Sequence, residues 1–180
     1  MPATQSRIND FVLKIATVNG TGSASANGLL MKALFRMGVP VTGKNLFPSN
    51  IQGLPTWYEI RASHAGYMSA TGRVDVMVAM NAQTYQKARH EVSPGGFLVY
   101  DSTWPRDRQL YRDDITVLGV PLAKMCNEAF SVSRIRILMK NVAYVGALAA
   151  LMDIELDVIK ALIEETFASK PKLVDSNLKA

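Results

Sequence analysis

The chain has 180 residues, 48% of them apolar, with 20 Lys and Arg against 15 Asp and Glu and a net charge of +5. That length and apolar share suit one folded domain with a real core, and they exclude a disordered or fibrous chain. The charge excess is too small and too scattered for a dedicated nucleic-acid binder, and one cysteine and two histidines leave no pattern for a disulfide, an iron–sulfur cluster or a zinc site.

No signal peptide is apparent. The longest apolar stretch, ILMKNVAYVGALAALM, is interrupted by Lys140 and Asn141 and falls short of the roughly 20 residues that span a bilayer. The expectation is a cytoplasmic protein with neither a membrane nor a nucleic acid as partner.

In chain order, residues 1–10 read as an N-terminal arm, and Phe11–Val18 as a first strand. Ala24–Met37 carries Leu29, Leu30, Ala33, Leu34 and Met37 on one helical stripe, with Gly38 as its C′ residue and Pro40 barring continuation. Val39–Lys44 predicts a second strand, and the alternating TWYEIRAS another. The nearly continuous apolar run VDVMVAM reads as a strand covered on both faces. A helix over Ala82–Glu91, a strand at FLVYDS, a strand within RDDITVLGVP and a short helix over Lys124–Phe130 follow. WPRDRQLYRDD mixes Arg106, Arg108 and Arg112 with acids and reads as solvent-facing. Ser133–Met152 predicts one long helix, and Asp153 caps a last one in IELDVIKALIEETFAS. Residues 11–169 thus form the domain, and 170–180 a frayed tail, a further element or the start of a linker to a missing region. Alternating strands and helices argue a Rossmann-like three-layer α/β domain, with a largely parallel or mixed sheet and two C-terminal helices.

The stretch NGTGSASANG joins the first strand to the first helix, as a phosphate cradle does. A dinucleotide fingerprint needs G-x-G-x-x-G/A and an acid about 20 residues on. Gly20 and Gly22 fit, Ser25 stands in the third place, and Lys44 stands where the acid belongs. No Lys-Ser/Thr pair follows for a phosphate-loop NTPase. Two readings remain: Gly20, Gly22, Ser23 and Ser25 bind an anion at the helix N-terminus, or they form a plain turn whose serines cap the helix. From Phe11 to Tyr58 there is no Asp or Glu, which favours an anion there. Asn81, at the carboxyl end of a buried strand, is either a ligand residue or a helix cap.

FPSNIQGLPTWYEIRAS packs amides, aromatics and charges into one stretch, as recognition surfaces often do. Asn50, Gln52, Trp57, Glu59 and Arg61 are its candidate interface residues, with Glu59 and Arg61 on one strand face. Cys126 reads as a small buried residue.

The run NGTGSASANGLLMKALFRMGVPVTGKNLFPSNIQGLPTWYEIRAS resembles the gamma-type segment of the 2-oxoacid:ferredoxin (acceptor) oxidoreductases, in the form fused at the N-terminus of the alpha subunit. The likeness continues through VDVMVAMNAQTY, SPGGFLVYDST, GVPLAKM and KNVAYVGALAALMDIELDVIKALIEETF. Many members have a glycine loop of the form G-x-G-G-Q-G, and this chain keeps only its first two glycines. The resemblance implies an enzyme that oxidatively decarboxylates a 2-oxoacid to an acyl-CoA. Coenzyme A is its co-substrate, and thiamine diphosphate, Mg²⁺ and iron–sulfur clusters sit on partner chains or domains. It implies docking on the thiamine-binding alpha/beta parts, with ferredoxin or another acceptor reached indirectly. It implies no catalytic residue and no metal site in this chain alone. The alternative is a free-standing Rossmann-like NAD(P) or nucleotide-binding protein.

Overall fold

The run FVLKIATV holds four β-branched residues, which suit a pleated backbone, and it becomes the strand the rest of the sheet is built around. The computed structural model describes residues 9–18, 20–46, 55–69 and 71–180. Among them, β1 (Asp10–Val18), β2 (Val41–Leu46), β3 (Pro55–Ser63), β4 (Val76–Ala79), β5 (Phe97–Asp101) and β6 (Thr116–Val120) form one sheet in the order β2-β3-β1-β4-β5-β6. The pairs β1–β4, β4–β5 and β5–β6 are parallel. β3 is antiparallel to both β1 and β2 and lies between them. The sheet is therefore mixed and mostly parallel, with helices on both faces.

Successive residues of β1 serve opposite faces. Leu13 and Ile15 join a core cluster with helices α1 (Ser23–Arg36), α4 (Leu122–Ala129), α5 (Ser133–Leu151) and α6 (Leu156–Thr166). Ala16 joins the smaller cluster under α2 (Ala82–Glu91) and α3 (Asp107–Leu110). VMVA of β4 is buried along its whole length, as a strand covered on both faces must be.

Helix ends follow local chemistry. Gly38 takes φ +80°, Val39 N–H bonds Leu34 C=O at 3.1 Å and Gly38 N–H bonds Phe35 C=O at 3.0 Å, closing α1 as a Schellman turn. α5 closes the same way with Asp153 at φ 52° and Ile154 N–H on Ala149 C=O at 2.9 Å. Asp153 is therefore not the cap of α6. It fills the left-handed position after α5, which Asp tolerates better than most residues, and Glu155 is the N-cap of α6.

The C-terminal residues also differ from a frayed tail. Pro171–Lys179 forms α7, with Pro at its first turn, where the missing N–H costs nothing. It packs on α5 and α6 with Asn177 buried, so three helices rather than two close the chain. Lys179 Nζ donates to Ala129 C=O at 2.7 Å and lies 5.3 Å from the Phe130 ring centroid. No helix among the described residues is long and apolar enough to cross a membrane.

Candidate functional site

The connection from β1 runs through α1 to one side of the sheet, and that from β4 runs through α2 to the other. Such a switch point leaves a crevice at the strands' carboxyl ends, where open α/β sheets place ligands. The glycine loop sits there. Gly20 and Gly22 have φ +85° and +81°, and Gly22 is the N-cap of α1. A Cβ at Gly22 would stand 2.6 Å from Leu138 Cδ2 of α5, so only glycine lets the helix and the loop approach this closely. Thr21 Oγ1 donates to Val18 C=O at 2.9 Å, and Asn141 Nδ2 of α5 donates to Thr21 C=O at 2.7 Å. Among the described residues no side chain caps α1, which leaves the positive end of the helix dipole at its first-turn N–H groups.

A pocket of about 220 Å³ opens beside the loop, lined by Gly20, Gly22, Ser23, Asn27, Asn45 and the Thr56–Tyr58 start of β3. Its floor is polar. Thr17 Oγ1 lies 3.0 Å from Ser23 Oγ and 3.4 Å from Thr56 Oγ1, and all three residues are buried. Asn27 is also buried and its Oδ1 accepts from the Tyr144 hydroxyl at 2.7 Å. Burial pushes the Tyr144 phenol far above its ordinary range, so it stays protonated.

The proposed anion-binding residues divide. Gly20, Gly22 and Ser23 meet at this pocket. Ser25 is exposed and lines a separate, mostly apolar pocket of about 460 Å³ between α1, α5, the end of α6 and α7, which Gly22 also borders. Asn81 lines neither. With its amide turned to suit its neighbours, its oxygen accepts from Val18 N–H at 3.2 Å and its nitrogen donates to Met80 C=O at 3.2 Å. It is the residue before α2, but its side chain ties the ends of β1 and β4 rather than capping the helix.

The candidate recognition strand is likewise mixed. Asn50 and Gln52 lie outside the described residues. Trp57 is half-buried, with Lys87 Nζ 4.0 Å from its ring centroid. Glu59 stands in register between Lys14 of β1 and Lys44 of β2, while the Lys14 ammonium bonds Glu91 of α2 at 2.7 Å. Arg61 is only 7% exposed; it pairs with Asp10 and donates to Phe11 C=O at 3.2 Å, so its guanidinium is engaged within the chain.

At the neighbouring strand end, Asp101 is buried and accepts from Thr103 N–H at 3.1 Å, Thr103 Oγ1 at 2.6 Å and Ala123 N–H at 3.3 Å, with Lys140 Nζ at 3.7 Å. The carboxylate anchors the start of α4. Burial pushes the nearby Cys126 thiol up, which makes it a poor nucleophile. Sequence reasoning missed Thr17, Asn27 and Tyr144, and it placed Thr56 in the recognition stretch without linking it to the glycine loop. A signal for Asn27 was present, since it is an amide within the apolar stripe of α1. Lys140 and Asn141, the two polar breaks in the apolar stretch, are the ties from α5 to Asp101 and to the glycine loop.

The profile of the pyruvate ferredoxin/flavodoxin oxidoreductase family matches residues 12–180. The chain belongs to this family. Its relatives include subunit alpha of 2-oxoacid:ferredoxin oxidoreductase 2 from Aeropyrum pernix, 31% identical over 121 residues, which are 67% of this chain and 18% of that one. A 2-oxoglutarate:ferredoxin oxidoreductase from Magnetococcus marinus, solved with 2-oxoglutarate, coenzyme A and succinyl-CoA bound, superposes with a TM-score of 0.82 at 25% identity; the match covers 96% of this chain and 30% of that one. Two further structures share the fold over nearly their whole length. Pyruvate oxidoreductase subunit PORC of Thermotoga maritima has a TM-score of 0.75 at 20% identity, covering 96% of this chain and 93% of that one. The gamma subunit of a keto/oxoacid ferredoxin oxidoreductase from Geobacter sulfurreducens has a TM-score of 0.69 at 15% identity, covering 94% and 96%. The chain thus spans less than a third of the length of the first two and nearly the whole length of the other two.

Proposed function

We propose that this chain is the gamma-type part of a 2-oxoacid:ferredoxin oxidoreductase, in the form joined to an alpha subunit, and that it docks on the thiamine-binding parts and shapes the coenzyme A site. The observation that carries the site is the donor-lined pocket where the glycine loop, the uncapped start of α1 and the start of β3 meet. Gly20, Gly22 and Ser23 receive an anionic part of the co-substrate there. Ser25 borders the adjoining apolar pocket, and Asn81 fixes the strand ends on which the loop rests. Trp57 and Glu59, and Asn50 and Gln52 of the same sequence block, serve the partner contact or the active-site mouth, and Arg61 braces the strand that carries Trp57 and Glu59.

The chemistry belongs to partner chains or domains. An iron–sulfur cluster does not fit these residues, because Cys126 is the one cysteine and is buried. Among the described residues, no three His, Cys, Asp or Glu come together to hold a metal ion. On this reading thiamine diphosphate with its Mg²⁺ sits on the partner, and the electrons leave through clusters held there to ferredoxin or another acceptor. The alpha-type relative supports the fused form, since its length far exceeds the part that this chain matches.

The test is reconstitution. The chain is combined with the thiamine-binding subunit from the same cells, and acceptor reduction is followed with a panel of 2-oxoacids. The expected result is acyl-CoA formation that needs both chains, a 2-oxoacid and coenzyme A. Tight NAD(P) binding by the chain alone, without assembly, overturns this reading in favour of a free-standing nucleotide binder.

A further inference from the structure

We propose that Asn27 is the ligand-orienting donor of the glycine-loop pocket and that Tyr144 sets which way it points. This rests on the reading that the loop holds an oxyanion, and it names the residue that positions that group. Asn27 lies one turn into α1, is 3% exposed and borders the pocket. Buried amides normally satisfy both ends. Here Oδ1 accepts the Tyr144 hydroxyl at 2.7 Å, and Nδ2 has no hydrogen-bond partner among the described residues. The reverse orientation would strand the phenolic hydrogen, because Tyr144 is fully buried and has no other acceptor there. Tyr144 therefore fixes the amide with its two N–H groups free.

Those two donors join the open N–H groups of the first turn of α1, and no carboxylate lines the pocket among the described residues. Convergent N–H donors with no described acid beside them select an acceptor-rich, negatively charged group. At about 220 Å³ it takes a phosphoryl or carboxylate group with a short stem. It is small beside the roughly 300–1,000 Å³ of sites that enclose a whole cofactor. The ligand class is an oxyanion at the end of a longer molecule.

The experiment uses the 180-residue chain, labelled with ¹⁵N, and two probes titrated separately: inorganic pyrophosphate and acetate. The Asn27 side-chain amide pair is assigned as the pair missing from Asn27→Ser. With one or both probes, that pair shifts saturably together with the backbone amides of Ser23, Ala24 and Ser25. The responding probe identifies a phosphoryl or a carboxylate source. Asn27→Ser weakens the same probe about tenfold, as loss of a charge-assisted hydrogen bond should. Tyr144→Phe reduces the response of the Asn27 pair while the backbone amides still respond, which a general loss of stability would not do. Where Asn27→Ser fails to fold, Asn27→Asp keeps the acceptor for Tyr144, replaces the donors with a charge and must abolish binding. A backbone response with a silent Asn27 pair, or unchanged affinity in the variants, overturns the role of Asn27 and leaves the loop as the anion site. Silence at both groups with both probes overturns the anion site and Asn27 together.

Discussion

Gly22 answers to two demands, a left-handed backbone and a close approach by Leu138, whereas Gly20 answers to the first alone. The pair gives an internal control. Gly20→Ala should cost about 1–2 kcal/mol of stability from the backbone alone. Gly22→Ala adds overpacking against α5 and should cost about 2–4 kcal/mol. Urea midpoints of the two variants decide it; equal losses would mean that Leu138 yields freely. At this scale the sequence was only partly legible. The glycine spacing located the loop, because its backbone requirement is local. The same strand pattern put Glu59 and Arg61 on one face but could not tell them apart. Asp10 and the Phe11 carbonyl engage Arg61, and both lie about fifty residues away in the chain.

Elements were legible wherever the period was long. α2 occupies the predicted Ala82–Glu91. α3 escaped notice because four residues carry no period, and 170–180 stayed open between a tail, a further element and a linker because Leu173, Val174 and Asn177 make only a narrow stripe in a polar segment. Removing residues 171–180 should uncover the partly buried Phe167 and its neighbours in the larger core. The truncated chain should melt several degrees lower and bind more of a hydrophobic dye; an unchanged melting curve would show that α7 contributes nothing to the core. α1 and α6 are joined by the paired contacts of Arg36 with Glu165, one of them 2.8 Å long. The hydrogen bond from Arg36 holds the Glu165 carboxyl below its ordinary value of 4.5. A carboxyl depressed in the folded state stabilises above its unfolded value and loses that contribution as pH falls through the folded one. Arg36→Ala should therefore narrow the stability difference from wild type as the pH drops from about 6 to about 3. The pair is exposed, so the difference should also shrink in salt. A difference that does not vary with pH would remove the pair from the account.

Across the whole molecule the two faces of the sheet are unequal. Among the described residues, the cluster on the α1, α4, α5 and α6 side holds 25 buried members, and the one under α2 and α3 holds 10. Fewer buried contacts mean cheaper local opening. Hydrogen exchange read by mass spectrometry should find α2 and α3 exchanging before α5 and α6. The reverse order would mean that the network of Lys14, Glu91, Lys87 and Trp57 holds the thin face more firmly than its apolar area suggests. The α/β class was readable from alternation alone. The antiparallel insertion of β3 was not, since strand direction depends on which neighbour a segment finds, and no local pattern records that.

That insertion bears on how the chain is made. β1 emerges first during synthesis, yet its antiparallel partner runs only from Pro55 to Ser63, and its parallel partner starts at Val76. Until then FVLKIATV is an apolar strand with two open edges, the kind of segment that chaperones hold and that aggregates when they do not. The β2–β3 pair can form earlier as a local unit. The loop that follows β1 takes shape only when β1 is zipped between its neighbours. The newborn chain thus acquires its glycine pocket only once β4 has emerged, and a ribosome-arrested chain stopped short of β4 should not have it.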